Sequence, residues 1–323
     1  MKEIMQKMRA EAARVLSSGE VDLVLGWEKG DLWWQSYPVF IENEKKAELL
    51  TWDLFCVPNL AKYLLEEIWH KKRVALFFKG CDALGFNQLM QDKRVDREKA
   101  FIFAVPCSGL VDPQKVERAG LHQGLLRVER LGDELTFVYK DREKKTAAPW
   151  FYYDKCLTCR YPNPVVFDFM LGEPVPVNPR ERFTAVKELE GQNVDARFQY
   201  WQRQFSRCIR CFACRNVCPA CSCRECIFDL TSPRWLGKAT ELSENQFYHI
   251  TRAFHMAGRC VDCGECARVC PVQIPLTSLN RKLIKDIDEL YGPYDAGVDP
   301  QKVPPLVTFN PGDPAAFLES KGV

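Results

Sequence analysis

The strongest constraint in this chain is a cysteine spacing that occurs twice, C-x2-C-x2-C-x3-C-P. Cys208, Cys211, Cys214 and Cys218 precede Pro219; Cys260, Cys263, Cys266 and Cys270 precede Pro271. Soft thiolates suit iron–sulfur cubes, and each cube needs four. Three cysteines at two-residue gaps can wrap one face of a cube from a single loop. The fourth, beyond a short turn, points away and has to find a second cube. The proline after it neither continues a helix nor donates a backbone hydrogen bond, so it fixes the exit of the chain. Zinc also takes four-thiolate sites, but usually from two separated CxxC pairs rather than from a four-cysteine run. A disulfide framework is typical of small secreted domains, and this chain has 323 residues.

The doubled run resembles the signature of bacterial two-cluster ferredoxins, in which each run's fourth cysteine ligates the cluster held mainly by the other run. The resemblance implies one 4Fe–4S cube on Cys208, Cys211, Cys214 and Cys270. It implies a second on Cys260, Cys263, Cys266 and Cys218. The region between the runs is longer than a minimal ferredoxin hairpin.

The length suits about two domains. A hydrophobic content of 46% with 12% aromatic residues is that of a globular protein, not a disordered one. The net charge of +2 gives no global attraction to nucleic acid or to an anionic membrane. The N-terminus, MKEIMQKMRAEAARVL, lacks the apolar core of a signal peptide, and no stretch approaches the ~20 apolar residues of a membrane span. Sixteen cysteines without an export signal imply a reducing, cytoplasmic setting in an anaerobe or a low-oxygen cell.

Hydrophobic periodicity predicts a helix over 2–16, a strand over 21–26 and an aromatic, β-rich stretch over 33–41 interrupted by Pro38. A helix is expected to open at Pro58 and run through Ile68. Buried-type strands follow at 73–79 and 100–106, with Asp82 capping the helix between them and Pro113 opening another. A hairpin is expected over 125–140, turning at Gly132–Asp133. Strand–helix alternation argues for an α/β domain with a mixed, partly parallel sheet. The expected division is an α/β domain over 1–170, a proline-rich linker over 171–180 and a mainly helical, dicluster ferredoxin-like domain over 181–292. An extended tail over 293–323 completes it.

Cys81 and Cys107 each follow a buried-type strand. If those strands are parallel neighbours, both thiols reach one sheet edge, where ligands gather. Cys156 and Cys159 form a CxxC able to complete a four-thiolate site; buried strand-end cysteines beside a free or zinc-binding CxxC is the alternative. The segments GCDALGFNQLM, AVPCSGL and KCLTCRYPNPVVFDFMLGE resemble the beta subunits of deazaflavin-reducing hydrogenase and deazaflavin-dependent formate dehydrogenase. That resemblance covers about the first half of the chain. It implies a third 4Fe–4S cube on Cys81, Cys107, Cys156 and Cys159, beside a flavin. The N-terminus lacks the glycine pair with which that family opens a helix near the flavin, which leaves FAD to the alternative reading below. Cys221, Cys223 and Cys226, with Cys56, form either a fourth site or free thiols around the cubes. Cys56 is expected at a helix start, which lowers a thiol's pKa.

Arg207, Arg210, Arg215, Arg224, Arg259 and Arg268 flank the two runs, either as counter-charges to anionic cubes or as solvated helix-face residues. Trp27, Trp33, Trp34 and Trp52 read as packing residues. His70 reads as a solvated helix cap, and His249 and His255 as helix-face residues. No metal-ligand pairing among His70, His122, His249 and His255, and no nucleophile motif, points to a substrate pocket. The expected function is an iron–sulfur electron-transfer subunit, without catalytic residues of its own, in an anaerobic multi-subunit oxidoreductase. Its partners would be heterodisulfide-reductase-like, hydrogenase-like or formate-dehydrogenase-like subunits, or a flavoprotein, not nucleic acid or membrane. The alternative is an oxidoreductase subunit whose FAD, beside the N-terminal cube, reduces or oxidises a diffusible cofactor.

Overall fold

The computed structural model describes residues 1–66, 71–177, 180–309, 311 and 313. The chain divides into two compact units, one of residues 1–86 and 93–180, the other of residues 87–92 and 181–323.

The first unit opens with helix α1 (Lys2–Ser17), which buries Met8, Ala12 and Val15 at helical spacing. Strands β1 (Leu23–Lys29) and β2 (Ser36–Ile41) pair antiparallel. Strand β3 (Val74–Phe78), helix α2 (Gly80–Gln91) and strand β4 (Ala100–Ala104) follow. Helix α3 (Pro113–Arg118) leads to a second, antiparallel sheet of β5 (Arg127–Leu131), β6 (Glu134–Val138) and β7 (Glu143–Ala147). The turn α4 (Asp154–Leu157) and the short strand β8 (Phe169–Met170) close the unit. The main sheet has the order β2-β1-β3-β4-β8, parallel except for β2, so it is mixed. Pro38 is accommodated because β2 is an edge strand. Every residue of β3 is buried, as expected of a central parallel strand covered on both faces.

Pro58 does not open an α-helix. Amide groups there are taken by side chains instead: Leu60 donates to Asp82 and Ala61 to Asn59. The segment forms only a 3-10 turn over Ala61–Leu65; Ile68 and His70 lie outside the described residues. Asp82 sits inside the first turn of α2 rather than capping it. Its carboxylate accepts from the Lys79 amide at 2.8 Å and meets Lys79 Nζ at 2.9 Å. Trp27 and Trp52 are buried with ring centroids 5.3 Å apart, and Trp33 and Trp34 pack against the core around Phe55 and Val111.

The second unit is built from α5 (Thr184–Glu190), α6 (Val194–Phe205), α7 (Ala213–Asn216), α8 (Leu242–Met256), α9 (Glu265–Arg268) and α10 (Leu276–Tyr291). Among the described residues it holds no strand. Its core gathers Phe205, Phe228, Tyr248, Ile274 and Leu276 around Cys214, Cys266 and Cys270. Beyond Gly292 the chain is held by Asn87 and Gln91, which donate to the carbonyls of Gly297 and Lys302.

Lys79 and Asp82 are both fully buried. Burial alone would push the lysine down; Asp82, then Cys81, outweigh it and hold the ammonium above lysine's ordinary range. Breaking a buried ion pair strands a charge, whereas removing both partners does not. Asp82→Leu should therefore cost about 3–5 kcal/mol. The double variant Lys79→Met, Asp82→Leu should lose less than this single one, as read from denaturant midpoints; a double variant worse than Asp82→Leu would contradict the ion-pair account.

Candidate metal centres

The two cysteine runs fold alike. Arg210 and Phe212, on either side of Cys211, have φ of 49° and 57°; Asp262 and Gly264, on either side of Cys263, have 51° and 66°. Only Gly264 takes this left-handed backbone without cost, so the other three positions are strained. Left-handed residues turn successive N–H groups into a concavity suited to an anion, the arrangement found at iron–sulfur sites. Side chains hold the loops: Arg210 pairs with Glu244 at 2.7 Å, and Arg281 on α10 grips Asp262 at 2.8 Å. Each third cysteine then rides on a short helix, Cys214 on α7 and Cys266 on α9.

Two cavities result. The first is lined by Cys208, Cys211 and Cys214 together with Cys270 from the other run, and by Tyr248, His249 and Ile274. The second is lined by Cys260, Cys263 and Cys266 together with Cys218, and by Thr277 and Asn280. Donors point at the sulfurs: Arg210 N to Cys208 at 3.4 Å, Ile274 N to Cys270 at 3.3 Å and Asn280 Nδ2 to Cys266 at 3.6 Å. Burial pushes the Cys266 thiol up to about 12, so a cation in the cavity is what would hold it as a thiolate. Cys218 is driven the other way, to about 5, first by a hydrogen bond from Cys221 and also by Arg252.

Among the described residues, no three His, Cys, Asp or Glu side chains converge closely enough to hold one metal ion. Four thiols around a cavity suit a cube, whose irons sit at separate corners. Four thiolates on one zinc would each lie ~2.3 Å from a common point. The residues present therefore fit a 4Fe–4S cube in each cavity.

Cys81 and Cys107 lie just beyond β3 and β4, which run parallel with Phe78 opposite Ala104. The Cys107 thiol is pushed up to about 11 by burial and then by neighbouring Cys156, while Lys79 and Lys155 act in the opposite sense. The same two lysines face Cys81. Cys159 follows one turn later, its amide donating to the Cys156 carbonyl. The chain after this CxxC closes on α2: a Cβ on Gly80 would meet the Tyr161 carbonyl at 1.7 Å. Only glycine fits there.

Cys56 departs from expectation. No helix starts at it. Its buried thiol donates to the carbonyl of Thr51 and accepts from the Asp53 amide. Burial and the Asp53 carboxylate raise its pKa rather than lower it. Cys221 and Cys226 belong to the other unit, where Cys221 adjoins Cys218 and Cys226 packs against the core. The flanking arginines are mostly neutralised: Arg210 by Glu244, Arg215 by Asp229, Arg259 by Asp92 and Arg268 by Glu265.

His249 is not a surface residue. It is buried, lines the first cavity and stacks on Phe205 with ring centroids 4.8 Å apart. Burial, then Arg252, lowers it to about 4. His122 and His255 are exposed. The residues sequence reasoning missed also lie on α8. Asn245 ties together the carbonyls of Phe205, Cys208 and Thr240, Tyr248 Oη lies 3.3 Å from Cys214 Sγ, and Arg252 donates to the Cys214 carbonyl at 3.0 Å. All are buried.

Residues 204–274 match the 4Fe-4S dicluster domain family. The chain is 22% identical, over 88% of its length and 89% of the relative's, to the F420-dependent formate dehydrogenase subunit beta of Methanocaldococcus jannaschii. It is 23% identical, over 90% of each, to the F420-dependent formate dehydrogenase 1 subunit beta of Methanococcus maripaludis. The resemblance to these beta subunits therefore extends well past the first half of the chain. A solved structure, the F420-reducing NiFe hydrogenase complex from Methanosarcina barkeri, aligns with 14% identity and a TM-score of 0.40 over 50% of this chain and 62% of its own. No helix among the described residues is long and apolar enough to cross a membrane.

Asn245 gives the first run a specific weak point. Asn245→Ala removes a donor from three carbonyls, of which that of Phe205 keeps the Cys208 amide, and should cost about 1–3 kcal/mol. The anaerobically purified variant should also lose part of its iron to a chelator faster than wild type, with the remainder unaffected. Uniform loss of iron would show that Asn245 does not serve the first run in particular.

Proposed function

We propose that this chain is an iron–sulfur electron-transfer subunit of a multi-subunit oxidoreductase, relaying electrons between partner subunits. The observation that carries the reading is the pair of four-thiol cavities, each completed by the fourth cysteine of the other run. One cube would be held by Cys208, Cys211, Cys214 and Cys270, the other by Cys260, Cys263, Cys266 and Cys218. Bound there, each supplies a one-electron carrier whose potential follows local charge and hydrogen bonding. The strained loops, the N–H groups aimed at sulfur and the match of 204–274 to a dicluster domain support the assignment.

A third cube would be held by Cys81, Cys107, Cys156 and Cys159. Support comes from the parallel register of β3 and β4, from Cys107 facing both Cys81 and Cys156, and from the two lysines facing Cys81 and Cys107. Lys79 and Lys155 supply positive charge where four thiolates would otherwise accumulate negative charge. The alignments to beta subunits of formate dehydrogenases, over 88–90% of this chain, support a place beside other redox subunits, formate-dehydrogenase-like or hydrogenase-like among them.

Anaerobically purified protein should contain about twelve irons, four per cube, and near eight would remove the third site. Cys81→Ala should abolish one cube's EPR signal and spare the other two. Stoichiometric zinc with little iron would end the relay reading. A flavin absorption retained after desalting would favour a chain that itself reduces a diffusible cofactor.

A further inference from the structure

Helix α8 lies in the segment between the two cysteine runs, and its inward face is polar. Asn245, His249, Arg252 and Met256 follow one another at spacings of four, three and four residues, so they form one stripe. From Tyr248 to Met256 the helix advances about 12 Å, at 1.5 Å per residue. That is long enough for one face to serve two neighbouring sites. At its first end Tyr248 and His249 line the first cavity. At the other, Met256 Sδ lies 3.7 Å from Cys218 Sγ, and Cys218 lines the second cavity.

Arg252 stands between these ends and is 4% exposed. One guanidinium nitrogen donates to the Cys214 carbonyl, and its Nε has no hydrogen-bond partner. The groups its charge faces are Cys218, Cys221, Cys266 and Cys214, which include ligand positions of both cavities. Among the described residues it makes no ion pair with a carboxylate, its hydrogen bond going to a backbone carbonyl. This sets it apart from Arg210, Arg215, Arg259 and Arg268, each of which is paired with an acid. A cation buried without a carboxylate is costly unless an anion occupies the space beside it. His249 is 2% exposed, and neither ring nitrogen has a partner although the ring lines the first cavity. Stacking on Phe205, at 11° between planes, fixes the plane in which those nitrogens lie.

We propose that Arg252 is the shared counter-charge of both dicluster sites and that His249 is a hydrogen-bond donor to the first site alone. The buried face of α8 would thereby set the two potentials separately. The inference rests on the assignment of cubes to these cavities. One-electron reduction adds one negative charge at a site and takes up no proton. A fixed cation beside both sites lowers the cost of that charge at both, and a hydrogen bond to one lowers it at one. Arg252 and His249 are thus tuning residues, distinct from the ligands.

The test is an anaerobic redox titration of the full chain followed by EPR, with iron measured in parallel. Arg252→Gln should shift two cube signals to lower potential and leave the third unmoved. His249→Leu should shift one of those two, and His249→Gln, which keeps an N–H donor, should recover part of that shift. Full iron with unmoved potentials in Arg252→Gln, or a shift of one signal or of all three, would overturn the role of Arg252. A shift of no signal or of several in His249→Leu would overturn that of His249. Should Arg252→Gln fail to load iron, Arg252→Lys decides. Potentials kept near wild type mean that the charge is the cause, and displaced potentials mean that the hydrogen bond to Cys214 is. If wild-type protein lacks the two dicluster signals, the underlying assignment fails; if it has them and the variants do not move them, only this inference does.

Discussion

The second unit depends on a backbone that must turn left-handed on both sides of Cys211 and of Cys263. Three of those four positions carry side chains that disfavour the conformation, at roughly 1–2 kcal/mol each. Such strain persists only where surrounding contacts over-determine it. The contacts are visible: Glu244 on Arg210, Tyr248 against Phe212 and Arg281 on Asp262. Two come from α8 and one from α10, so those helices clamp the loops as well as burying apolar surface. The small core follows from the same need, since Cys214, Cys266 and Cys270 are themselves part of it.

Burying thiols is favourable only while they stay neutral, and a ligand must be a thiolate. The chain resolves this with placed positive charge rather than with net charge, which is only +2. In the first unit Lys79 and Lys155 face Cys81 and Cys107; in the second Arg252 faces Cys214, Cys218 and Cys266. Lys79 is held in place by Asp82 and lies over the Trp27 ring, 4.0 Å from its centroid. Arg252 has only a backbone carbonyl. The two units therefore hold a buried cation differently, one beside a carboxylate and one on a backbone carbonyl alone.

Much of this was legible in the sequence because cysteine spacing is a local signal. The runs pointed to a dicluster domain, which the family match over 204–274 supports; the exchange of Cys218 and Cys270, implied by the ferredoxin-like spacing, belongs to the proposed assignment. The strands ending before Cys81 and Cys107 were legible from their unbroken apolar runs. The helix expected at Pro58 was not, because tertiary partners, Asp82 above all, take its amides. Cys56 was misread for the same reason: its surroundings are set by the Asp53 turn, not by a helix terminus.

Helix α8 was legible as a helix; which side of it is buried was not. Its solvent side carries Phe247, Ile250 and Phe254, while Asn245, His249 and Arg252 are buried. Periodicity alone assigns the apolar side of such a helix to the core, and here polar residues share the buried side with Tyr248, Ala253 and Met256. Buried polar groups are costly unless they find partners that water would otherwise supply. Asn245 finds three carbonyls and Tyr248 a cysteine sulfur, whereas both His249 nitrogens and the Arg252 Nε find none within the protein. Asn245 Oδ1 is unmet as well, and of these residues His249 lines a thiol cavity. On the proposed assignment, a negatively charged cube in those cavities would supply partners to the His249 and Arg252 groups that the protein itself leaves unpaired.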